Sequence, residues 1–341
     1  MLSSVAWRTP PRDYGPWELI ASLLTEGLVA RGHAVTLFAT ADSVTSATLD
    51  AVLPHGYASD PSMDGRVWEA MHVAHALERS GDFDIVHNHL DWLPLAFAAS
   101  WHAPLVTTVH GFSGPAILPA YVRAASNYVS ISDADRAPEL NYLATVHHGI
   151  DLRQFEATTQ ASDDLVILGR IHRDKGTAEA IEIARRTGRR LLICGPVVDP
   201  QYFAELVQPH VDGERVVYAG SIGPAERSRV LGASAVLLHP IAFAEPFGLA
   251  VVEAMACGTP VVAFPRGALP ELVDVGVTGY LPVDVDEAVA AVPLAAALDR
   301  REIRAVAERR FGVDRMVDDY LEVYRRLLAR TAHLLGDRSP I

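Results

Sequence analysis

The stretch Leu168-Gly169-Arg170-Ile171-His172-Arg173-Asp174-Lys175-Gly176 ends an apolar run in a polar, basic loop. Arg170 and Lys175 then stand beside the helical pattern that follows Gly176. A guanidinium fork, a compact ammonium and a helix N-terminus together suit a diphosphate. The plain alternative is a solvated basic loop. Among 29 lysines and arginines Lys175 is the sole lysine, which marks it as a position to examine. A second stretch, Ala244-Glu245-Pro246-Phe247-Gly248-Leu249-Ala250-Val251-Val252-Glu253-Ala254-Met255, sets two glutamates eight residues apart around a turn and a helix start. Two helical turns take about 7.2 residues, so Glu253 falls deep in that helix. Its neighbours are apolar, and a carboxylate buried there needs a cation or a hydrogen-bond donor, of which a ligand hydroxyl is one. An exposed stripe on an amphipathic helix is the alternative. A third stretch, Cys257 to Ala263 and then Gly267-Ala268-Leu269-Pro270-Glu271, reads as helix stop, strand, glycine loop and proline-led helix start.

These loops need strands and helices to hold them. Val35–Ala39, Ile85–His87, Leu105–Val109 and Tyr128–Ile131 read as strands, as do Leu165–Leu168, Leu191–Cys194, Val216–Ala219, Val236–Leu238 and Val261–Phe264. They are rich in Val, Ile and Leu with little alternation, as strands covered on both faces are. Helical patterns lie between them, at Trp17–Ala30, Val67–Leu77, Ala178–Arg186 and Leu249–Cys257. Such alternation means βαβ units and parallel sheets. Met1–Trp7 is short for a buried opening strand, so that strand is expected to be truncated or to lack residues preceding Met1. The break at His147–Gln160 divides the chain. The expected organisation is one Rossmann-like domain over residues 1–155 and a second over 156–312. A terminal helix over 313–341 would pack back toward the first domain. Two doubly wound domains of this kind face each other across a cleft at the carboxyl ends of their sheets, where ligands bind.

Composition removes several classes. Apolar and charged fractions are those of a globular protein, and 341 residues suffice for about two domains. No run of about 20 uncharged apolar residues offers a membrane span. The first residues lack a signal-peptide order, so a cytoplasmic location is expected. The net charge of −13 disfavours nucleic acid and anionic membrane surfaces as partners. Cys194 and Cys257 lie in apolar runs and read as buried thiols, not as a disulfide framework.

Taken together, the motif residues resemble the family 4 glycosyltransferases, which have the GT-B fold. The resemblance is closest over residues 149–328, and it strengthens the diphosphate reading because the sole lysine falls on the motif lysine. It implies that the N-terminal domain binds the acceptor and the second domain the nucleotide sugar, whose diphosphate Arg170 and Lys175 hold. Glu245 would contact hydroxyls of the donor sugar and Glu253 the ribose, with backbone N–H groups at Phe247, Gly248 and Leu249 turned to phosphate and sugar. In the N-terminal half, Tyr14-Gly15-Pro16-Trp17-Glu18 opens a helix where the family usually has a glycine pair approaching donor and acceptor; here Pro16 follows the single Gly15. Thr108-Val109-His110-Gly111 implies that His110 approaches the transferred sugar. Gly195-Pro196 and Gly220–Gly223 follow strands and are placed to line the base pocket. His87 and His89 share a strand face and read as packing or acceptor-lining residues ahead of a metal pair.

The reading is therefore a retaining, metal-independent glycosyltransferase with no cofactor. It moves a hexose-type sugar from a nucleoside diphosphate sugar to a hydroxyl of a small, soluble acceptor. Retention is implied by the resemblance. A GT-B epimerase or phosphorylase, or a catalytically silent nucleotide-sugar binder, is the alternative. A dinucleotide oxidoreductase lacks its G-x-G-x-x-G loop. A serine hydrolase lacks the last glycine of G-x-S-x-G at Gly111-Phe112-Ser113-Gly114-Pro115. The triplets Asp82/Asp84, Asp133/Asp135 and Asp284/Asp286 leave a metal-dependent GT-A transferase as a minor rival, since two of them border elements as caps do.

Overall fold

The computed structural model describes residues 1–12, 15–111, 115–124 and 126–336. Tyr14, the Phe112-Ser113-Gly114 part of the serine-hydrolase test and the last residues of the terminal segment, 337–341, lie outside them. The chain forms two compact units, residues 1–149 with 313–341, and residues 150–312. The division falls after Gly149 and not after residue 155. Ile150 already donates its N–H to Phe311, and Asp151 caps the turn Leu152–Gln154 by accepting from Arg153 N–H, both within the second unit.

The first unit holds β1 (Thr36–Phe38), β2 (Thr48–Asp50), β3 (Val86–Asn88), β4 (Leu105–Val109), β5 (Asn127–Ser130) and β6 (Tyr142–Thr145). All pairings are parallel. The weak opening strand is real but short. Leu2 bridges Phe38 on one side and Asn88 on the other, with Leu2 N–H to His87 O at 2.8 Å and Ser3 N–H to Phe38 O at 3.0 Å. It thereby links β2-β1 to β3-β4-β5-β6 in one sheet. Leu2, Phe38, Val73, Leu105, Tyr121 and Tyr128 share the core of this unit.

The terminal helix, Val313–Gly336, completes the same unit. Met316, Val317, Tyr320, Val323 and Leu327 are its buried face. It lies so close to helix Pro16–Ala30 that a Cβ on Gly27 would overlap Val317 Cγ2. Alanine normally favours a helix over glycine by about 1 kcal/mol. Here the stiff, β-branched Val317 cannot swing aside, and overpacking costs about 1–3 kcal/mol. Gly27→Ala should therefore lower the melting temperature, by roughly 2–4 °C for each net kcal/mol. A rise on differential scanning calorimetry would show that the two helices have room to part.

The second unit holds β7 (Leu165–Leu168), β8 (Leu191–Cys194), β9 (Val216–Gly220), β10 (Val236–His239), β11 (Val261–Ala263) and β12 (Gly279–Tyr280). They form one parallel sheet in the order β12-β11-β10-β7-β8-β9. Its core gathers Leu165, Ile167, Ile183, Leu191, Ile193, Val236 and Leu238 with residues of the covering helices. Helices start where the sequence supplies acceptors: Asp284 takes Glu287 N–H ahead of Val285–Ala296, and Asp299 takes Arg301 N–H ahead of Arg300–Phe311. Asp284 is thus a cap, as its place in a D-x-D triplet allowed. Among the described residues, no helix is long and apolar enough to cross a membrane.

Candidate active site

In the second unit the strand order reverses between β7 and β10, and that switch point leaves a crevice at the carboxyl ends of those two strands. The loop after β7 carries Arg170, the turn Arg173–Lys175 and Gly176. The loop after β10 carries Pro240, Phe243 and Glu245. They touch directly: Ala242 N–H donates to Asp174 O at 2.8 Å. Gly176 has φ +72°, and a Cβ there would overlap the carbonyl of Pro240. Gly195, at the end of β8, has φ +145° and would likewise collide with the carbonyl of Gly169. Only glycine fits at these two approaches. A small cavity between these loops is lined by Gly169, Arg170, Lys175, Thr177, Cys194 and His239.

Charge is concentrated there. Lys175 Nζ donates to Glu245 Oε2 at 2.7 Å and lies 4.4 Å over the Phe243 ring. His239 Nε2 is 3.3 Å from the same carboxylate oxygen. Burial alone would raise the Glu245 carboxyl, but the hydrogen bond to His239 and the charge of Lys175 outweigh it and hold it at about 2. Arg170 Nη2 is 3.5 Å from Asp174 Oδ2, whose other oxygen is 2.7 Å from His172 Nδ1. Both cations read from the sequence thus have a carboxylate partner beside the cavity.

The second motif glutamate is held elsewhere. Helix Leu249–Ala256 starts after Gly248, which has φ +109°. Phe247 is buried edge-on against Phe311 at 6.3 Å. Glu253, in the interior of that helix, is 4% exposed, and its Oε1 accepts from Arg227 Nη1 at 2.8 Å. Burial raises its carboxyl, and Arg227 offsets part of that. The buried carboxylate therefore has a protein partner, where the sequence left a ligand hydroxyl open.

The remaining expected residues, Gly15 and His110, lie in the first unit. Gly15 has φ +151° and precedes Pro16, the first residue of the helix. His110 follows β4 and stacks on Trp17 with ring centroids 5.6 Å apart and planes at 21°. Its Nε2 is 2.9 Å from His89 Nδ1, and its Nδ1 is 3.4 Å from His148 Nε2. Burial pushes His110 down to about 3, and His89 and His148 well below their ordinary range. This row of imidazoles is therefore uncharged at neutral pH. His87 is fixed between Tyr324 OH at 2.6 Å and Thr108 Oγ1 at 2.8 Å, and Thr108 in turn meets Tyr320 OH at 2.7 Å. His87 is thus a packing residue that meets the terminal helix. Among the described residues, no group of three or more His, Cys, Asp or Glu side chains is placed to hold a metal ion.

Known proteins match this sequence and this fold. The family model described as "Glycosyl transferases group 1" matches residues 162–297, and that described as "Glycosyltransferase Family 4" matches residues 19–138. Over 313 residues the chain is 30% identical to D-inositol 3-phosphate glycosyltransferase 1 of Catenulispora acidiphila, covering 74% of each. The chain belongs to glycosyltransferase family 4. It is also 30% identical over 310 residues to the D-inositol 3-phosphate glycosyltransferase of Mycobacterium marinum. That match covers 75% of this chain and 66% of the relative, so this glycosyltransferase-family chain spans two thirds to three quarters of the length of these relatives. Among solved structures, a glycosyltransferase involved in avilamycin A biosynthesis aligns with TM-score 0.72 and 25% identity over 96% of this chain and 97% of that one. Sucrose-phosphate synthase from Thermosynechococcus elongatus aligns with TM-score 0.76 and 20% identity, over 96% and 98%. The fold is GT-B.

Within this family 4 chain, sequence reasoning missed His239, Arg227 and Phe243. Each acts on a motif residue from outside the motif. His239 ends an apolar strand and carried one signal, a polar side chain closing a run of Val and Leu at the switch point. Arg227 had none, being one arginine among many.

Proposed function

We propose that this protein is a retaining glycosyltransferase of the cytoplasm. It transfers a hexose-type sugar from a nucleoside diphosphate sugar to a hydroxyl of a small, soluble acceptor, with no metal and no cofactor. The observation that carries the reading is the Arg170, Lys175 and Glu245 cluster around the cavity at the switch point of the second unit. Lys175 and Arg170 would bind the diphosphate and stabilise its charge as the glycosidic bond breaks. The positive end of helix Leu249–Ala256 adds to them, so a divalent ion would duplicate charge already present. Glu245 would hold donor sugar hydroxyls, Glu253 the ribose, and the backbone at Gly15 and Gly195 would approach the donor.

Retention follows a front face in this reading: the leaving diphosphate takes the acceptor's proton while the new bond forms on the side being vacated. His110, uncharged and stacked on Trp17, would sit beside the sugar and lend a lone pair to its developing positive charge. One of its ring nitrogens would have to give up a neighbouring imidazole for this, and the 3.4 Å bond to His148 is the longer of the two. The relatives' names suit the acceptor class, since inositol phosphate is small and water-soluble.

A thermal-shift screen of nucleoside diphosphates and sugar nucleotides tests the donor site, because a ligand at 100 times its Kd stabilises by about 2.7 kcal/mol. With the donor known, proton NMR of the first-formed product gives the anomeric coupling. An α-linked donor should yield an α-linked product, in EDTA as in buffer. A β-linked product would end the retaining assignment, and activity restored only by Mn²⁺ or Mg²⁺ would end the metal-free one.

A further inference from the structure

His239 ends β10 at the carboxyl edge of the sheet, is 4% exposed and lines the same cavity as Arg170 and Lys175. Glu245 is ionised at neutral pH, so it can only accept hydrogen bonds. His239 Nε2 must therefore carry its proton and donate it across the 3.3 Å gap. That fixes the tautomer by chemistry and not by choice. Lys175 Nζ donates to the same oxygen, Oε2, at 2.7 Å. Two donors thus converge on Oε2, and among the described residues no hydrogen bond reaches Oε1.

The two donors differ in stiffness. Lysine holds a point charge on a flexible stem, and a carboxylate can turn about a single contact of that kind. An imidazole at a strand end has a fixed plane and one N–H direction. Its bond to Oε2 defines how the carboxylate is turned, and so where Oε1 points. We propose that His239 is a positioning residue that turns Glu245 so that Oε1 is presented to a hydroxyl of the donor's sugar. His239 therefore sets recognition of the sugar and leaves recognition of the nucleoside diphosphate alone. This rests on the reading of Glu245 as the sugar-binding carboxylate.

Calorimetric titration with UDP and UDP-glucose tests it, or with the GDP or ADP pair if that pair is the one that shifts the melting temperature. His239→Phe should weaken sugar-nucleotide binding about tenfold, the scale of one hydrogen bond to a charged group, and leave the nucleoside diphosphate within about twofold. His239→Gln should restore sugar-nucleotide binding, because its amide nitrogen reaches the place of Nε2. His239→Asn, whose amide stops at the place of Nδ1, should behave like His239→Phe and serves if the aromatic variant fails to fold. Equal losses for both ligands in His239→Asn, or no rescue by Gln, would reduce His239 to a packing residue. Glu245→Gln separates the two levels of the argument. If it produces no difference between the ligands, the sugar-binding reading of Glu245 falls, and His239 with it. If it produces the difference and His239→Asn does not, only the positioning inference falls.

Discussion

Lys175→Ala is expected to lower kcat/KM by roughly 30- to 5,000-fold. Removing one partner of a desolvated, hydrogen-bonded charge pair costs about 2–5 kcal/mol, and each 1.36 kcal/mol is tenfold. Two losses combine. The proposed leaving diphosphate loses a cation, and Glu245 loses the partner that sits 2.7 Å away. Lys175→Arg should not rescue, since a longer planar fork does not fit the place of a compact ammonium 2.7 Å from Glu245 Oε2. The variant should also be less stable than the parent at neutral pH, by a gap that narrows in acid. The Glu245 carboxyl is depressed from 4.5 to about 2 in the folded protein. A depressed carboxylate contributes stability that is present above its unfolded value and lost as pH falls through the folded one. The parent therefore loses that contribution between about pH 4.5 and about pH 2. Without Lys175 the depression shrinks, so less stability is lost over that range and the two proteins converge as pH falls. Near-normal kcat/KM, or a stability gap by circular dichroism that stays constant on acidification, would contradict the assignment.

The second large effect divides the two motif glutamates. Glu253→Gln should weaken binding of the nucleoside diphosphate itself by about tenfold or more, as expected for a lost charge-assisted hydrogen bond to ribose. Glu245→Gln should leave that ligand alone and weaken the intact sugar nucleotide. Titration calorimetry with both ligands decides it, and equal effects of both variants would remove the division of roles. Arg227 supplies an independent check. The Glu253 carboxyl is raised by burial, and Arg227 pulls it back. A raised carboxyl favours the fold below its unfolded value, and that contribution is lost as pH rises through the folded one. Arg227→Met removes the offset and raises the carboxyl further. Its melting temperature should then fall more steeply than the parent's as pH rises above the unfolded carboxyl's 4.5. A constant gap between the two curves would mean that Glu253 and Arg227 are not coupled.

The sequence carried the parts of this fold that repeat locally. Runs such as Leu165–Leu168 and Leu191–Cys194 matched the observed strands residue for residue, because a parallel strand covered on both faces needs continuous apolar residues. The short partners were invisible. Thr48–Asp50 and Gly279–Tyr280 have too few residues for any period, and Tyr142–Thr145 carries no buried residue. The extent of the opening strand escaped for another reason. Leu2 is a strand only because Phe38 and Asn88 flank it, which is a property of chain segments 36 and 86 residues away. The site followed the same logic. Arg170, Lys175, Glu245 and Glu253 were legible from turn residues and helix starts beside them. The cation for Glu253 and the second donor for Glu245 were not, since pairing at a distance leaves no periodic mark. Nor did spacing show that both nitrogens of His110 are taken by other imidazoles.

The return of the terminal helix to the first unit has a consequence for how the protein is made. A ribosome releases residues 1–149 first, yet Met316, Val317 and Tyr320 belong to the core those residues build. At roughly 5–20 residues per second, the nascent first unit waits through the whole of residues 150–312 with the face that receives Val317 uncovered. The second unit is contiguous in the chain and can close on its own as it emerges. Some contacts around the row of histidines must also wait for the terminal helix. Arg315 reaches the carbonyl of His147, Gly149 N–H meets Met316 Sδ, and Tyr324 meets His87 only after those residues have left the tunnel. A chain halted at residue 312 would thus carry Arg170, Lys175, Glu245 and Glu253 and still lack the terminal-helix contacts to His87, His147 and Gly149.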